Sequence, residues 1–307
     1  FPYTTLFRSA AGPRRAGAAF MIIGDHRDQV INNIADHAQQ GLFNEKVEID
    51  DPQMTSAESL DIINQFWQDQ THWRARFDNL IARTTMRGIT DWFNHDTTFC
   101  GLENLKPLSP TQGAVITSNH FNQLDNTVIR KLAQKNHRRL FIVIQETNLK
   151  MGGLIGFLMN HLDVLPLAKN VAYLGRTLPQ KIAQQTRHGH WVLIYPEQEM
   201  WFNYRKPRPV KRGAYYYAAR ANAPIISCFT EIIDLPKAEK NNDDFYQTRY
   251  RLHVLPLIWP DPQLSVNENA KLMMEKDYAQ KKAAYEKAYQ KKLDYRFTPH
   301  DIAGWRG

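Results

Sequence analysis

The sequence predicts an α/β fold in which helices flank a mostly parallel central sheet. Two observations lead to this prediction: short apolar runs recur from residue 114 onward, and amphipathic segments of helical length fill the gaps between them. Such alternation is typical of strands joined by helical crossovers. The predicted strands cover residues 114–117, 140–145, 163–167, 191–195, 224–229 and 249–258. The predicted helices between them cover residues 122–136, 149–161, 171–187 and 211–222.

Helical extensions are predicted on both sides of this sheet. Before it, a helix is expected near residues 29–40, and Thr55-Ser-Ala-Glu58 is a capping box that opens a second helix. A third helix is expected over residues 73–93, from the helical spacing of its apolar residues. After the sheet, residues 271–295 form a Lys-rich helical segment, and residues 297–307 are predicted to be a tail.

These patterns divide the chain into four parts. Residues 1–20 do not match the rest of the chain, and Met21 comes directly after them, so we interpret them as a non-native leader. The other parts are a helical segment at 21–95, a central domain at 96–260 and a Lys-rich helical segment at 261–307.

Two of the helical segments allow a second interpretation. Apolar residues at helical spacing indicate packing helices, and in the third helix they are Phe77, Leu80, Ile81, Met86 and Ile89. The tryptophans of the same region fit that packing or, alternatively, a surface at a membrane interface; they are Trp67, Trp73 and Trp92. The Lys-rich segment fits a solvated helix or contact with an anionic membrane.

The composition is that of a globular protein with an anionic partner. Of 307 residues, 43% are apolar and 23% charged, and the net charge of +8 suits a phosphorylated substrate, a membrane surface, a nucleic acid or an acidic carrier. Cys100 and Cys228 lie far apart and form no metal or disulfide pattern, which fits a reducing, cytosolic compartment. No apolar run reaches the ~18 residues of a spanning helix, so a lipid-directed protein would lie on the membrane.

A histidine and a carboxylate follow the first predicted strand. His120 is expected in the loop after that strand, and Asp125 in the first turn of the next helix. A carboxylate placed there would fix the imidazole tautomer and raise its basicity, as a general base requires. The alternative is that Asp125 stabilises the helix N-terminus and His120 is an ordinary loop residue.

A second group of charged residues follows the fourth predicted strand. Glu197 comes after Pro196 at the end of that strand, so it and His120 are both expected at the carboxyl edge of the sheet, where such folds bind ligands. A cationic loop comes next, stiffened by two prolines and carrying Arg205, Lys206, Arg208, Lys211 and Arg212. This loop fits a phosphate clamp or a solvated basic loop. Nothing in the sequence suggests a metal or a prosthetic group.

Five sequence blocks occur in a fixed order along the chain. They are Asn119-His120-Phe-Asn-Gln-Leu-Asp125, Gly153-Leu-Ile-Gly156-Phe157 with Val164-Leu-Pro166-Leu-Ala-Lys169, Tyr195-Pro-Glu-Gln-Glu-Met200, Val210-Lys-Arg-Gly-Ala214 and Ala223-Pro-Ile-Ile-Ser227. In this order they resemble the motifs of the glycerolipid acyltransferase family, the lysophosphatidate (PlsC-like) acyltransferases. The family motifs are Asn-His-x4-Asp, a Gly-x-x-Gly-like segment leading to Pro-Val-x-Arg, Phe-Pro-Glu-Gly-Thr-Arg, Phe-Lys-x-Gly-Ala and Val-Pro-Ile-Val-Pro.

The resemblance implies an O-acyltransferase domain at residues 96–260. His120, oriented by Asp125, would be the general base that activates an acceptor hydroxyl for attack on acyl-CoA or an acyl carrier protein. Substrate-binding roles would fall to Asn119, Lys169, Glu197, Arg205, Arg208 and Lys211. The implied partners are the acyl thioester, a lysophospholipid or related glycerolipid and an anionic membrane surface, with no nucleic acid and no cofactor. The implied location is cytoplasmic, at the inner face of the membrane.

The chain departs from the family where Gln198, Glu199 and Met200 replace Gly-Thr-Arg. In the family that arginine is thought to hold the acceptor phosphate, which methionine cannot do. Lys169, in place of the second-block arginine, keeps the charge but not the bidentate fork. Two alternatives are therefore an acceptor that lacks the phosphate and a non-catalytic lipid-binding protein that retains the fold. A hydrolase that uses His120 to activate water is a further alternative, and nucleic-acid binding rests on charge alone.

Overall fold

The structure is a computed structural model that describes residues 26–49, 54–168, 170–239 and 242–307. The predicted leader and Lys169 lie outside these residues. The described part contains eight α-helices: Arg27–Gln40 (α1), Ser56–Asp69 (α2), Trp73–Phe93 (α3), Asn126–Lys135 (α4), Gly153–His161 (α5), Leu178–Arg187 (α6), Gly213–Arg220 (α7) and Val266–Tyr289 (α8). It contains seven strands: Thr98–Cys100 (β1), Ala114–Thr117 (β2), Leu140–Gln145 (β3), Val164–Leu167 (β4), Trp191–Ile194 (β5), Ile225–Glu239 (β6) and Asn242–Val254 (β7).

The strands form one mostly parallel sheet, which confirms the predicted fold class. Their order is β1-β7-β6-β2-β5-β3-β4. Only the β6–β7 pair is antiparallel among the paired strands described. Strand β5 lies between β2 and β3, although α4 connects β2 directly to β3 along the chain. Because β2 and β5 are parallel neighbours, with Thr117 in register with Ile194, the loops that follow them emerge side by side.

Helices cover both faces of the sheet because alternate strand residues point to opposite sides. Ile116 and Leu193 belong to one buried cluster, to which α3, α4 and α5 also contribute. Val115 and Val192 belong to the other, together with residues of α6, α7 and α8. The result is a three-layer arrangement with helices α3 and α8 on opposite faces of the sheet.

The predicted start of α2 is confirmed, and the predicted packing of α3 is confirmed for Met86 and Ile89 alone among its five predicted apolar residues. The Thr55 side chain accepts a hydrogen bond from the Glu58 N–H at 3.3 Å, and Glu58 reaches back to the Thr55 N–H at 2.9 Å. Helix α3 has the predicted bounds, but Phe77 and Leu80 are exposed. The buried face of α3 consists of Ala75, Ala82, Met86, Thr90 and Phe93 instead.

Several predicted elements have different bounds. Strands β6 and β7 form a long antiparallel hairpin, whereas the sequence predicted a strand that ended at Phe229 and another that began at Arg249. Strand β1 was not predicted, because a three-residue strand gives too short a pattern. The predicted helix at 149–161 is divided into a 3₁₀ turn and α5, and the one at 171–187 into a π-helical turn and α6.

The predicted C-terminal tail is wrong, because this segment is an integral part of the fold. Ile302 and Ala303 are 1% and 0% exposed. Ile302 forms a β-bridge with Tyr204, and Trp305 forms one with Phe245 of β7. The segment therefore lies between the β6–β7 hairpin and the loop that follows β5.

None of the helices in the described ranges is both long enough and apolar enough to cross a membrane.

Candidate active site

His120 and Asp125 meet after β2, in the loop that leads into α4. The Nδ1 atom of His120 lies 2.7 Å from Oδ2 of Asp125. The same oxygen accepts the main-chain N–H groups of Phe121 at 2.9 Å and Asn122 at 3.3 Å. Asp125 is 3% exposed and directly precedes the first residue of α4, whereas the His120 side chain is 21% exposed. The carboxyl group is thus buried and fixed, and the imidazole reaches the surface of the site.

Tyr195 contacts both members of this pair, and it was not identified as a site residue from the sequence. Its hydroxyl donates to Oδ1 of Asp125 at 2.5 Å, and its ring stacks on the His120 imidazole with centroids 4.0 Å apart and planes 12° apart. Burial and the nearby Asp125 raise the pKa of Tyr195 well above its usual value, so the hydroxyl keeps its proton. The sequence feature that could have identified it is the residue type, because tyrosine carries a hydroxyl group where the resembled family has phenylalanine.

Glu197 and Arg208 form a buried ion pair that holds the main chain of His120. Glu197 is 2% exposed and Arg208 is 1% exposed, and the Arg208 guanidinium lies 3.0 Å from Oε2 of Glu197. Oε2 of Glu197 accepts the His120 N–H at 3.2 Å, and Arg208 donates to the His120 carbonyl oxygen at 3.3 Å. Burial lowers the pKa of Arg208, and Glu197 opposes that shift. This geometry favours a bracing role for both residues over contact with the acceptor.

Asn119 also acts within the protein. Its side-chain oxygen accepts the Thr230 N–H at 2.8 Å, and its amide group donates to the Thr230 carbonyl oxygen at 3.1 Å. With 1% exposure, Asn119 connects the loop of His120 to β6. The geometry therefore favours a structural role for this side chain.

The predicted cationic loop is divided between the interior and the surface. Arg205 pairs with Asp234 and donates to the Ile232 carbonyl oxygen on β6. Lys206 is 1% exposed and pairs with Asp301 at 2.7 Å. Lys211 is exposed, and its main-chain N–H donates to the Pro196 carbonyl oxygen at 2.7 Å. The buried members thus stabilise the fold around the site.

The altered block follows Glu197. Gln198 has a left-handed backbone with φ of +71°. The resembled family has glycine here, the residue that adopts this conformation without strain. The next side chain, Glu199, accepts a hydrogen bond from Gln145 at 3.2 Å. Gln198 therefore keeps the turn that the family builds with glycine.

A polar segment from the N-terminal region lies against these loops and was not identified from the sequence. Asn44 donates to the carbonyl oxygens of Glu197 at 3.2 Å and Pro209 at 2.7 Å. Glu48, four residues further on, interacts electrostatically with His120. This region lacks any periodic or motif signal, and only the fold places it at the site.

The described residues contain no group of three or more His, Cys, Asp or Glu side chains that could hold a metal ion.

One family model matches the segment of the chain that contains these site residues. Residues 97–231 match the family model described as Acyltransferase, and that segment contains His120, Asp125 and Glu197. Residues 97–231 are therefore an acyltransferase domain by that match, as the five sequence blocks predicted.

One similar solved structure is the 1-acyl-sn-glycerophosphate (LPA) acyltransferase PlsC from Thermotoga maritima. It is 13% identical with a TM-score of 0.47, and the match covers 76% of this chain and 89% of that chain. A search of curated proteins gave no match.

Proposed function

We propose that this protein transfers a fatty acyl group from an acyl thioester to the hydroxyl of a lysophospholipid or related glycerolipid, with His120 as general base. The observation that carries the proposal is the 2.7 Å contact between His120 Nδ1 and a buried Asp125. Main-chain N–H groups and the Tyr195 hydroxyl fill the other acceptor positions of that carboxyl group. Nδ1 is therefore the donor toward Asp125, and Nε2 carries the lone pair.

The transfer needs one proton acceptor and no covalent acyl-enzyme. Nε2 of His120 takes the proton of the acceptor hydroxyl as its oxygen attacks the thioester carbonyl carbon. A C–O bond forms, the C–S bond breaks, and the imidazolium returns the proton to the departing thiolate. The donor is acyl-CoA or an acyl carrier protein. Such a base contributes about 10²–10⁴-fold to the rate.

The experiment incubates the protein with acyl-CoA and a mixture of lysophospholipids and glycerol phosphate, and measures the lipid products by mass spectrometry. We expect an acylated product from the unchanged chain and none above background from His120→Ala. His188→Ala is the matched control, because His188 is an exposed histidine that precedes β5, at the opposite edge of the sheet. An equal product yield from His120→Ala would overturn the mechanism, and free fatty acid alone would identify a hydrolase.

The same proposal includes docking on an anionic membrane through the outward face of α3. Four side chains at helical spacing form this face, and they are 76%, 60%, 58% and 41% exposed: Trp73, Phe77, Leu80 and Ile81. Exposed arginines occur along the same helix, namely Arg74, Arg76, Arg83 and Arg87. An apolar face with cationic neighbours fits the surface of an anionic bilayer. Trp67 is not part of it, because its ring packs on Phe66 and its N–H donates to Tyr173.

Vesicle binding tests this docking. We expect the protein to bind anionic vesicles less tightly as salt rises, and Phe77→Glu with Leu80→Glu to weaken binding at least tenfold. Val171→Glu is the matched control, because Val171 is 88% exposed and lies outside the α3 face. Undiminished binding by the double variant would exclude this face. The exposed lysines of α8, on the other face of the sheet, would then be the surface to test.

A further inference from the structure

A segment before the family-matched region, residues 43–48, is attached to the catalytic loops. The Phe43 carbonyl oxygen accepts a hydrogen bond from Arg208 at 2.8 Å, and the Glu45 carbonyl oxygen accepts one from the Trp201 indole at 3.0 Å. Asn44 donates to two carbonyl oxygens of the loop after β5. Val47 is 1% exposed in the cluster that α1 forms with Trp201. The segment is therefore held in place beside His120.

Glu48 is the acidic side chain that this segment brings to the site. Its Oε1 atom is buried and has no hydrogen-bond partner among the residues that the structure describes. Its carboxyl group interacts electrostatically with His120 and with Lys46. Burial removes part of the hydration of this carboxyl group and raises the pKa of Glu48 to about 7. A partly buried acid with a perturbed pKa and an unsatisfied oxygen atom is a candidate ligand-binding group.

The buried cations of the site are already bonded within the protein. Arg208 is paired with Glu197, and Lys206 with Asp301. Arg205 is paired with Asp234. Met200, at the position of the family's phosphate-binding arginine, carries no charge. Oε1 of Glu48 is thus a carboxyl oxygen without a hydrogen-bond partner in the described ranges, whereas the charges of these arginine and lysine side chains are compensated.

We propose that Glu48 determines acceptor specificity by receiving a hydrogen-bond donor of the acceptor, a hydroxyl or an ammonium group, next to the hydroxyl that is acylated. The inference rests on the proposed function. A hydroxyl or ammonium group would supply the partner that Oε1 lacks. A phosphate group carries no such donor when ionised, and the ionised carboxyl group would repel it. The acceptor class is therefore a glycerolipid whose polar group is neutral or cationic.

The experiment measures binding in a His120→Ala background, so that it does not depend on turnover. Three short-chain lysolipids are titrated below their critical micelle concentrations: one with a neutral polyol, one with an ethanolamine and one with phosphate alone. We expect the first two to bind at least tenfold more tightly than the third. Glu48→Gln should weaken binding of the ethanolamine lipid about tenfold and binding of the polyol lipid less. The reason is that a hydrogen bond between an ammonium group and a carboxylate is stronger than one between neutral groups.

Glu45→Gln is the matched control. Glu45 lies in the same segment and is exposed, and its contact with Trp201 uses only the main chain. We expect it to leave all three affinities unchanged. Equal affinities with and without Glu48, or tightest binding of the phosphate lipid, would overturn the inference. Glu48-dependent binding without acyl transfer in the His120-containing chain would keep this inference and reject the proposed function.

Discussion

Glu197 and Arg208 both bind the main chain of His120. Glu197 accepts a hydrogen bond from the His120 N–H, and Arg208 donates one to the His120 carbonyl oxygen. Arg208→Ala would leave Glu197 buried without its cation, which costs roughly 3–5 kcal/mol of unfolding free energy. We expect a matching fall in the denaturant midpoint and at least a tenfold loss of transfer rate. Arg187→Ala, which removes an exposed cation at the end of α6, should change neither. An unaltered midpoint for Arg208→Ala would show that the pair does not stabilise the loop.

Asp125→Asn tests the orientation and charge of the base. Asparagine can still accept the Phe121 N–H, but it cannot stabilise a charged imidazolium as a carboxylate does. We expect kcat to fall about 10²–10⁴-fold with little change in KM. The measurement is steady-state kinetics with the best acceptor. Asp91→Asn is the control, because Asp91 is exposed and pairs only with Lys131 among the described contacts. A kcat within threefold of the unchanged chain would exclude the proposed pair.

The C-terminal segment is expected to stabilise the loop that carries His120, through its contacts with Asn203. The Asn203 N–H donates to the Phe121 carbonyl oxygen at 2.7 Å, and the Asn203 carbonyl oxygen accepts the Ala303 N–H at 2.8 Å. Ile302→Ala should lower the unfolding free energy by about 2–4 kcal/mol, because Ile302 is buried beside this connection. Deleting residues 299–307 should lower both stability and transfer rate. Thermal melts and initial rates measure these effects. Arg306→Ala is the control and should cause smaller losses of both. Full activity after the deletion would contradict the prediction.

Gln198→Gly is expected to stabilise the protein. Gln198 has φ of +71°, a conformation that strains any residue with a Cβ atom. Glycine removes this strain but adds backbone entropy to the unfolded chain, so the net gain is roughly 0.5–1 kcal/mol. Gln198→Ala keeps the Cβ atom and should give no gain. Chemical denaturation distinguishes the two variants, and a less stable glycine variant would show that the Gln198 side chain contributes more than its strain costs.

Glu48 is expected to make stability depend on pH. Burial raises its pKa from 4.5 to about 7, with Lys46 and His120 opposing the shift. Between these values the folded state binds more protons than the unfolded state, so stability falls as pH rises. Glu48→Gln removes the titrating group and should stabilise the protein by about 1–3 kcal/mol at pH 8, and by much less at pH 5. Melts at both pH values measure this, and an equal gain at both would refute the assignment.

The parts of the fold that depend on local patterns could be predicted from the sequence. Helix α3 has its predicted bounds, and the capping box begins α2 at the expected residue. The His120–Asp125 pair could be proposed because six consecutive residues contain it, and the five blocks predicted the match to the acyltransferase model. Local spacing therefore predicted the kind of elements, the candidate base and the acyltransferase domain.

Only the tertiary structure decided what surrounds the base. The position of β5 beside β2 brings Glu197 and Tyr195 to His120, and strand order leaves no trace in local periodicity. The charges of Arg205 and Lys206 gave no indication that carboxylates would pair with them, since Asp234 and Asp301 lie far away in the chain. Glu48 reaches the site through the packing of residues 43–48, which have no pattern of their own. A sequence records which chemical groups are present, whereas long-range packing determines which of them remain available to a substrate.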